Sequence, residues 1–131
     1  MKRTLCLLLF LLTCLLVHGT VIAEDAENAE TTLIGEYHWN RGHSGDLKAV
    51  FTSTGEGTWD VSFYFDFRDK PHTYTGTATG SMDGKLSGEV KNESKKRTFS
   101  FEGAFSDGVF EGNHEELTPE RAGKTGTLML K

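Results

Sequence analysis

Residues 57–67, GTWDVSFYFDF, alternate strictly. Trp59, Val61, Phe63, Phe65 and Phe67 fall on one face, and Thr58, Asp60, Ser62, Tyr64 and Asp66 on the other. In a pleated strand successive side chains point to opposite sides, whereas in a helix the same spacing would scatter the rings around the axis. The stretch therefore reads as a long strand with one apolar face. No apolar set at helical spacing persists elsewhere, and the 15 glycines would each weaken a helix.

With the turn-forming clusters as punctuation, eight strands are expected, at about 33–40, 46–53, 57–67, 73–81, 85–92, 97–106, 109–117 and 124–131. Two hairpins can be read to the residue. In GAFSDGVFEG (103–112) a two-residue turn at Asp107-Gly108 pairs Phe105 with Phe110, Gly103 with Gly112 and Phe101 with His114. The related phrase GSMDGKLSG (80–88) is one residue shorter before its Asp-Gly, and the same turn would mix its faces. A three-residue turn, Met82-Asp83-Gly84 with Gly84 left-handed, instead pairs Gly80 with Leu86, Ala78 with Gly88 and Gly76 with Val90.

Eight antiparallel strands with short links and one apolar face each fit an all-β, eight-stranded up-and-down β-barrel or a two-sheet β-sandwich. The barrel is favoured because an even strand count lets the first strand close on the last and hide both edges. The expected interior runs from Leu33, Tyr37 and Trp39 through the strand-three rings to Phe99, Phe101, Phe105, Phe110, Leu128 and Leu130, with glycines as small partners.

The N-terminal segment has the signature of an export signal: Lys2 and Arg3, then an apolar run from Leu5 to Val17, then Val21-Ile22-Ala23. The expected division is a signal peptide at 1–23 cut near Ala23, a flexible leader at 24–32, and one barrel domain at 33–131. The product would be periplasmic or secreted. Both cysteines, Cys6 and Cys14, precede the cut, so no disulfide is available to the mature chain. Cleavage takes the formal charge from −5 to −7, since Lys2 and Arg3 leave and all 19 acidic residues follow. That balance argues against nucleic acid as a partner, and the apolar run is too short for a stable membrane span.

Gly35-Glu36-Tyr37-His38-Trp39, opening the first strand, resembles the Gly-x-Trp stretch that opens calycin-type barrels, the lipocalins and avidins. Here the aromatic two after the glycine is Tyr37, and the Trp comes two later. The resemblance covers the strand plan and implies a small hydrophobic or amphipathic ligand held in the interior or the mouth.

Candidate ligand-binding residues are Tyr37, Trp39, Trp59, Phe63, Phe101 and His114. The six share the apolar face, and rings on strands three and six would wall a pocket floored by glycines on strands four and five. Those same rings would equally fill the space the glycines leave. His114, opposite Phe101, needs a polar partner if buried, and Glu116 lies on its face. His38, His43, Asp46 and His72 have the donor types of a zinc site but not its spacing, so no metal and no other cofactor is expected. Catalysis is not expected either: the mature chain lacks a cysteine nucleophile, no serine sits in a Gly-x-Ser-x-Gly elbow, and Glu115 and Glu116 point apart. Asn92-Glu93-Ser94 fits a glycosylation acceptor, and Lys91, Lys95, Lys96 and Arg97 form a basic hairpin tip. The alternative to a ligand carrier is an interaction module with a filled core, acting through the outward stripe Thr73, Thr75, Thr77, Thr79 and Ser81.

Overall fold

The computed structural model describes residues 28–131. The signal-peptide segment, both cysteines and the cut near Ala23 lie outside the described residues. Eight strands follow one another: β1 (Glu30–Trp39), β2 (Ser44–Gly55), β3 (Thr58–Phe67), β4 (Lys70–Gly80), β5 (Lys85–Asn92), β6 (Arg97–Ser106), β7 (Val109–Glu116) and β8 (Thr125–Leu130). Each pairs antiparallel with the next, and β8 returns to β1 through pairs from Gly35↔Leu130 to Trp39↔Gly126. The molecule is a closed up-and-down barrel, so β8 and the Gly35–Trp39 part of β1 leave no unpaired edge where they meet.

Both hairpin registers follow from facial alternation. Phe105 pairs with Phe110, Gly103 with Gly112 and Phe101 with His114 across the Asp107-Gly108 turn. The two turn residues have φ of 53° and 77°, as a type I′ turn requires. In the β4–β5 hairpin Gly80 faces Leu86, Ala78 faces Gly88 and Gly76 faces Val90. The left-handed residue there is not Gly84, as the sequence suggested, but Gly80, at φ 126°. Bending at Gly80 lets its N–H donate to the Gly57 carbonyl (3.0 Å) in the neighbouring turn, while Ser81 N–H donates to Lys85 O (2.9 Å) and closes the loop.

The stretch expected to be a leader reaches less far than residue 32. β1 begins at Glu30, with Glu30, Thr31 and Thr32 paired to Thr52, Phe51 and Val50. The backbone ladder continues to Asn28, whose N–H donates to Ser53 O at 2.7 Å. Main-chain pairing needs no apolar side chain, which is why a polar segment can join the sheet.

The expected interior residues form one buried cluster, with Trp39, Trp59, Phe65 and Phe105 half-buried at its margins. The up-and-down path gives the barrel two unlike ends. Three short turns (56–57, 81–84 and 107–108) and the C-terminus lie at one end, here called the base. The β1–β2, β3–β4, β5–β6 and β7–β8 connections lie at the other, the mouth. The last of these is the longest and carries a single 3-10 turn, Pro119–Arg121. Among the described residues no helix is long and apolar enough to cross a membrane.

Candidate functional site: an aromatic cavity at the barrel mouth

Three rings cross the barrel and divide it. Phe63 and Phe101 lie 5.1 Å apart between centroids, and Phe51 packs edge-on to both at 6.4 Å. All three are buried because β2, β3 and β6 each direct an apolar face inward at the same height. Below them the base is filled. Phe110 is 1 % exposed, and its ring covers Gly103 and Gly112: a Cβ on Gly103 would meet the ring at 2.7 Å and one on Gly112 would meet it at 3.0 Å. Leu86, Val61 and Leu130 complete this layer.

The idea of a glycine floor is thereby corrected. A Cβ at Gly76 or Gly88 would collide with the backbone of the adjacent strand, so these glycines permit tight coiling of β4 and β5. They leave no space for a ligand.

Above the Phe63 and Phe101 rings the barrel ends in a solvent-open cavity of about 1090 Å³. It is reached by the half-buried Trp39, Phe65 and Phe67 and bounded outward by the mouth loops, while the rings and aliphatic side chains beneath are themselves buried. Leu47, Val90 and Leu128 complete its floor, and Tyr37, Trp39, Phe65, Phe67, Tyr74 and Phe99 form its walls. The walls are aromatic because β1, β3, β4 and β6 all place rings at their mouth-side inward positions. Those rings support one another: Tyr37 with Phe65 at 5.1 Å, Trp39 with Phe99 at 5.4 Å, Phe65 with Tyr74 at 5.4 Å and Tyr74 with Phe99 at 5.4 Å. The Tyr37 hydroxyl sits between His43 Nε2 (3.1 Å) and the Asp66 carbonyl (3.4 Å). Burial, then the nearby Asp66 charge, raises its pKa above the usual 10.0 and keeps it neutral.

Of the residues expected at a site, Tyr37, Trp39, Phe63, Phe101 and His114 line this cavity. Trp59 is set apart at the base, where its indole N–H donates to Gly80 O at 3.2 Å. It has the right face but the wrong end of its strand. The cavity also contains Phe65, Phe67, Tyr74, Phe99 and Arg97, which were not singled out as ligand residues. Their signal was position along the strand, visible once the mouth-side loops are grouped.

His114 does not bond Glu116. Its Nε2 reaches across β8 to the His38 carbonyl on β1 at 2.9 Å, and because a carbonyl can only accept, the proton resides on Nε2. Gly126, the residue crossed, makes this possible, since a Cβ there would strike both the His38 carbonyl and the imidazole. Trp39 packs edge-on against the ring at 4.6 Å. Burial lowers the His114 pKa below 6.5, only partly opposed by the backbone hydrogen bond.

Glu116, wholly buried, is held by Arg97 through two hydrogen bonds, Nε to Oε1 at 3.1 Å and NH2 to Oε2 at 2.7 Å. Arg97 thus departs from the exposed basic tip and turns inward, with its guanidinium 5.0 Å from the Phe99 ring centre. The bidentate geometry and the ring face are what make a buried carboxylate tolerable here.

The remaining candidates disperse. His43 and His72 both reach the mouth, but the Phe67 ring stands between them, at 4.8 Å from one and 6.0 Å from the other. His38 faces outward beside Glu36. Among the described residues no group of three or more His, Cys, Asp or Glu is placed to hold a metal ion. The Asn92 amide is already engaged: Nδ2 donates to Thr73 O, and Oδ1 accepts from the Ser94 hydroxyl and the Lys95 N–H. The outer wall carries a separate polar depression of about 730 Å³ along Thr77, Thr79, Ser87, Glu89, Glu102 and Asn113.

No protein-family model matches this chain, and no curated protein matches it in sequence.

Proposed function

We propose that this protein is an exported, non-catalytic carrier that binds one small hydrophobic or amphipathic molecule in the mouth cavity. The observation that carries the reading is the contrast within one barrel: the base is closed by buried side chains, while the mouth ends in an open concavity of about 1090 Å³ with half-buried Trp39, Phe65 and Phe67 at its wall. A volume slightly above the usual ligand-site range, as its opening to solvent entails, with mostly apolar walls and a few polar groups such as Tyr37, His43 and His114, suits a compact apolar body. Export rests on the N-terminal segment, and the carrier role agrees with what the calycin resemblance implies.

The test is native mass spectrometry of the protein purified from its own host, before and after denaturation, together with titration of the uncharged dye anilinonaphthalene. A releasable excess mass, or one saturable dye site, is expected. Ala122→Trp, at an exposed lining position of the β7–β8 connection, places a ring in the concavity; it should abolish uptake and leave the melting temperature nearly unchanged. If the same variant is instead destabilised by about 1–3 kcal/mol, the mouth was already packed and the filled-core module acting through its outer wall becomes the better account.

A further inference from the structure

Charge is distributed very unevenly around the cavity. Arg41, Arg68, Lys70, Lys95, Arg121 and Lys124 line its rim, six of the 14 Lys and Arg residues of a chain whose net charge is −5. Only one of the 19 acidic residues, Glu120, lies among them. Asp69 and Glu93 belong to the same mouth loops, and Asp66 is close enough to act on Tyr37, but none of the three lines the cavity. The six cations come from all four mouth connections and their borders, so the ring is a property of the assembled end rather than of one basic segment.

Apart from the Arg68 guanidinium, 5.2 Å from the Phe67 ring centre, these cations have no charged or aromatic partner among the described residues. Among the described residues the ion pairs are His38 with Glu36, Lys91 with Glu93 and Arg97 with Glu116. None involves a rim cation. Arg97, the one cation deeper in the cavity, is already neutralised by Glu116.

A second observation concerns the backbone. Arg68 and Asp69 form the tight β3–β4 turn with φ of 52° and 61°. Asp tolerates the left-handed region, but an arginine there is strained where glycine or asparagine would be relaxed. Lys96, in the β5–β6 turn beside Lys95, is likewise left-handed at φ 50°. Arg68 and Lys96 are the described residues with positive φ that are neither Gly, Asn nor Asp, and both are cations of mouth turns. Arg68 lines the cavity and Lys96 does not, so the strain kept at Arg68 is what a functional requirement for that charge would leave behind.

Resting on the carrier reading above, we infer that the ligand is an amphiphile with an anionic headgroup, a carboxylate, sulfate or phosphate monoester. Its apolar body lies against the Phe63 and Phe101 rings and its charge sits among the rim cations. The rim has no donor fork fixed by a second carboxylate, so it attracts charge without demanding one headgroup shape, and its pull weakens as salt screens it.

Two dyes that differ only in the headgroup test this: anilinonaphthalene sulfonate and its uncharged parent. The wild-type protein should prefer the sulfonate by about tenfold or more at low salt, and the preference should shrink as salt is added. In the variant Lys70→Glu/Arg121→Glu/Lys124→Glu, checked for a native circular-dichroism spectrum, the affinity ratio should collapse towards one or invert. Equal affinity of the wild-type protein for both dyes overturns the inference and leaves the cavity reading standing. Failure of both dyes to bind overturns the two together. A preference that survives in the triple variant also overturns the inference, since the charge would then be sensed elsewhere.

Discussion

The two ends of this barrel are built from the same kind of residue to opposite effect. At the base, the Phe110 ring lies against Gly103 and Gly112, and Leu86, Val61 and Leu130 are as fully buried as the ring itself. At the mouth, Tyr37, Trp39, Phe65, Tyr74 and Phe99 pack on one another, Trp39 of β1 reaching Phe99 of β6, and the space above them is bounded by loops. A ring laid over a glycine closes one end of a barrel; rings packed together beneath loops leave the other end concave. The chain carries two tryptophans, one at each end, so each end has its own reporter: Trp39 against His114 at the mouth, Trp59 bonded to Gly80 at the base.

The contrast would be broken most severely by Phe110→Ala, which should cost about 3–5 kcal/mol because Gly103 and Gly112 have no side chains to fill the gap the ring leaves. Phe67→Ala, at the half-buried mouth, should cost far less while weakening dye binding. Chemical denaturation of both, with Trp59→Phe and Trp39→Phe backgrounds reporting separate ends, measures this; equal losses would remove the distinction between the ends.

Comparable in size is the buried charge. Arg97→Met leaves the wholly buried Glu116 without its partner and should destabilise by about 3–5 kcal/mol, whereas joint replacement of Arg97 and Glu116 by Met and Leu should be nearly neutral. A double-mutant cycle on urea midpoints shows whether the pair fixes the mouth or only survives there.

Gly126→Ala should cost about 1–3 kcal/mol, since the added methyl collides with the His38 carbonyl and displaces the His114 ring. The effect should appear in Trp39 emission before Trp59 emission, because the displaced ring packs on Trp39.

The His114 environment also predicts a pH dependence. Its pKa is lowered on folding, so the unfolded chain binds the proton more readily in the window from 6.5 down to the folded value. Stability should be fully present above that window and decline as the pH falls through it. His114→Gln should flatten this part of the curve, read as the thermal midpoint between mildly alkaline and mildly acidic buffer.

The smallest effect expected is at the strained turn. Arg68→Gly relieves a left-handed arginine and should change stability by no more than about 1 kcal/mol, in either direction, because the flexible unfolded glycine offsets the relief. Its signature should be a reduced preference for the sulfonate dye.

Much of this was legible in the chain. The alternation of 57–67 fixed which face of β3 is buried, and the lengths of the two Asp-Gly hairpins fixed pairing down to Phe101↔His114 and Gly76↔Val90. These are local rules: a strand has a period of two, and a turn of given length permits one register. The candidate site was legible only in part. Face alone cannot separate Trp59 from Trp39, because both point inward; the end of the barrel each occupies depends on chain direction.

What the sequence by itself determined is therefore the set of strands, their apolar faces and the hairpin registers, since each depends on neighbours close along the chain. Tertiary structure decided closure of β8 on β1, the reach of His114 over Gly126 to His38, the capture of Glu116 by Arg97, and the gathering of six cations around one opening. Each of these joins residues from strands or loops far apart in sequence. Their proximity exists only because a closed, coiled sheet brings alternate loops to the same end, and no local spacing encodes that.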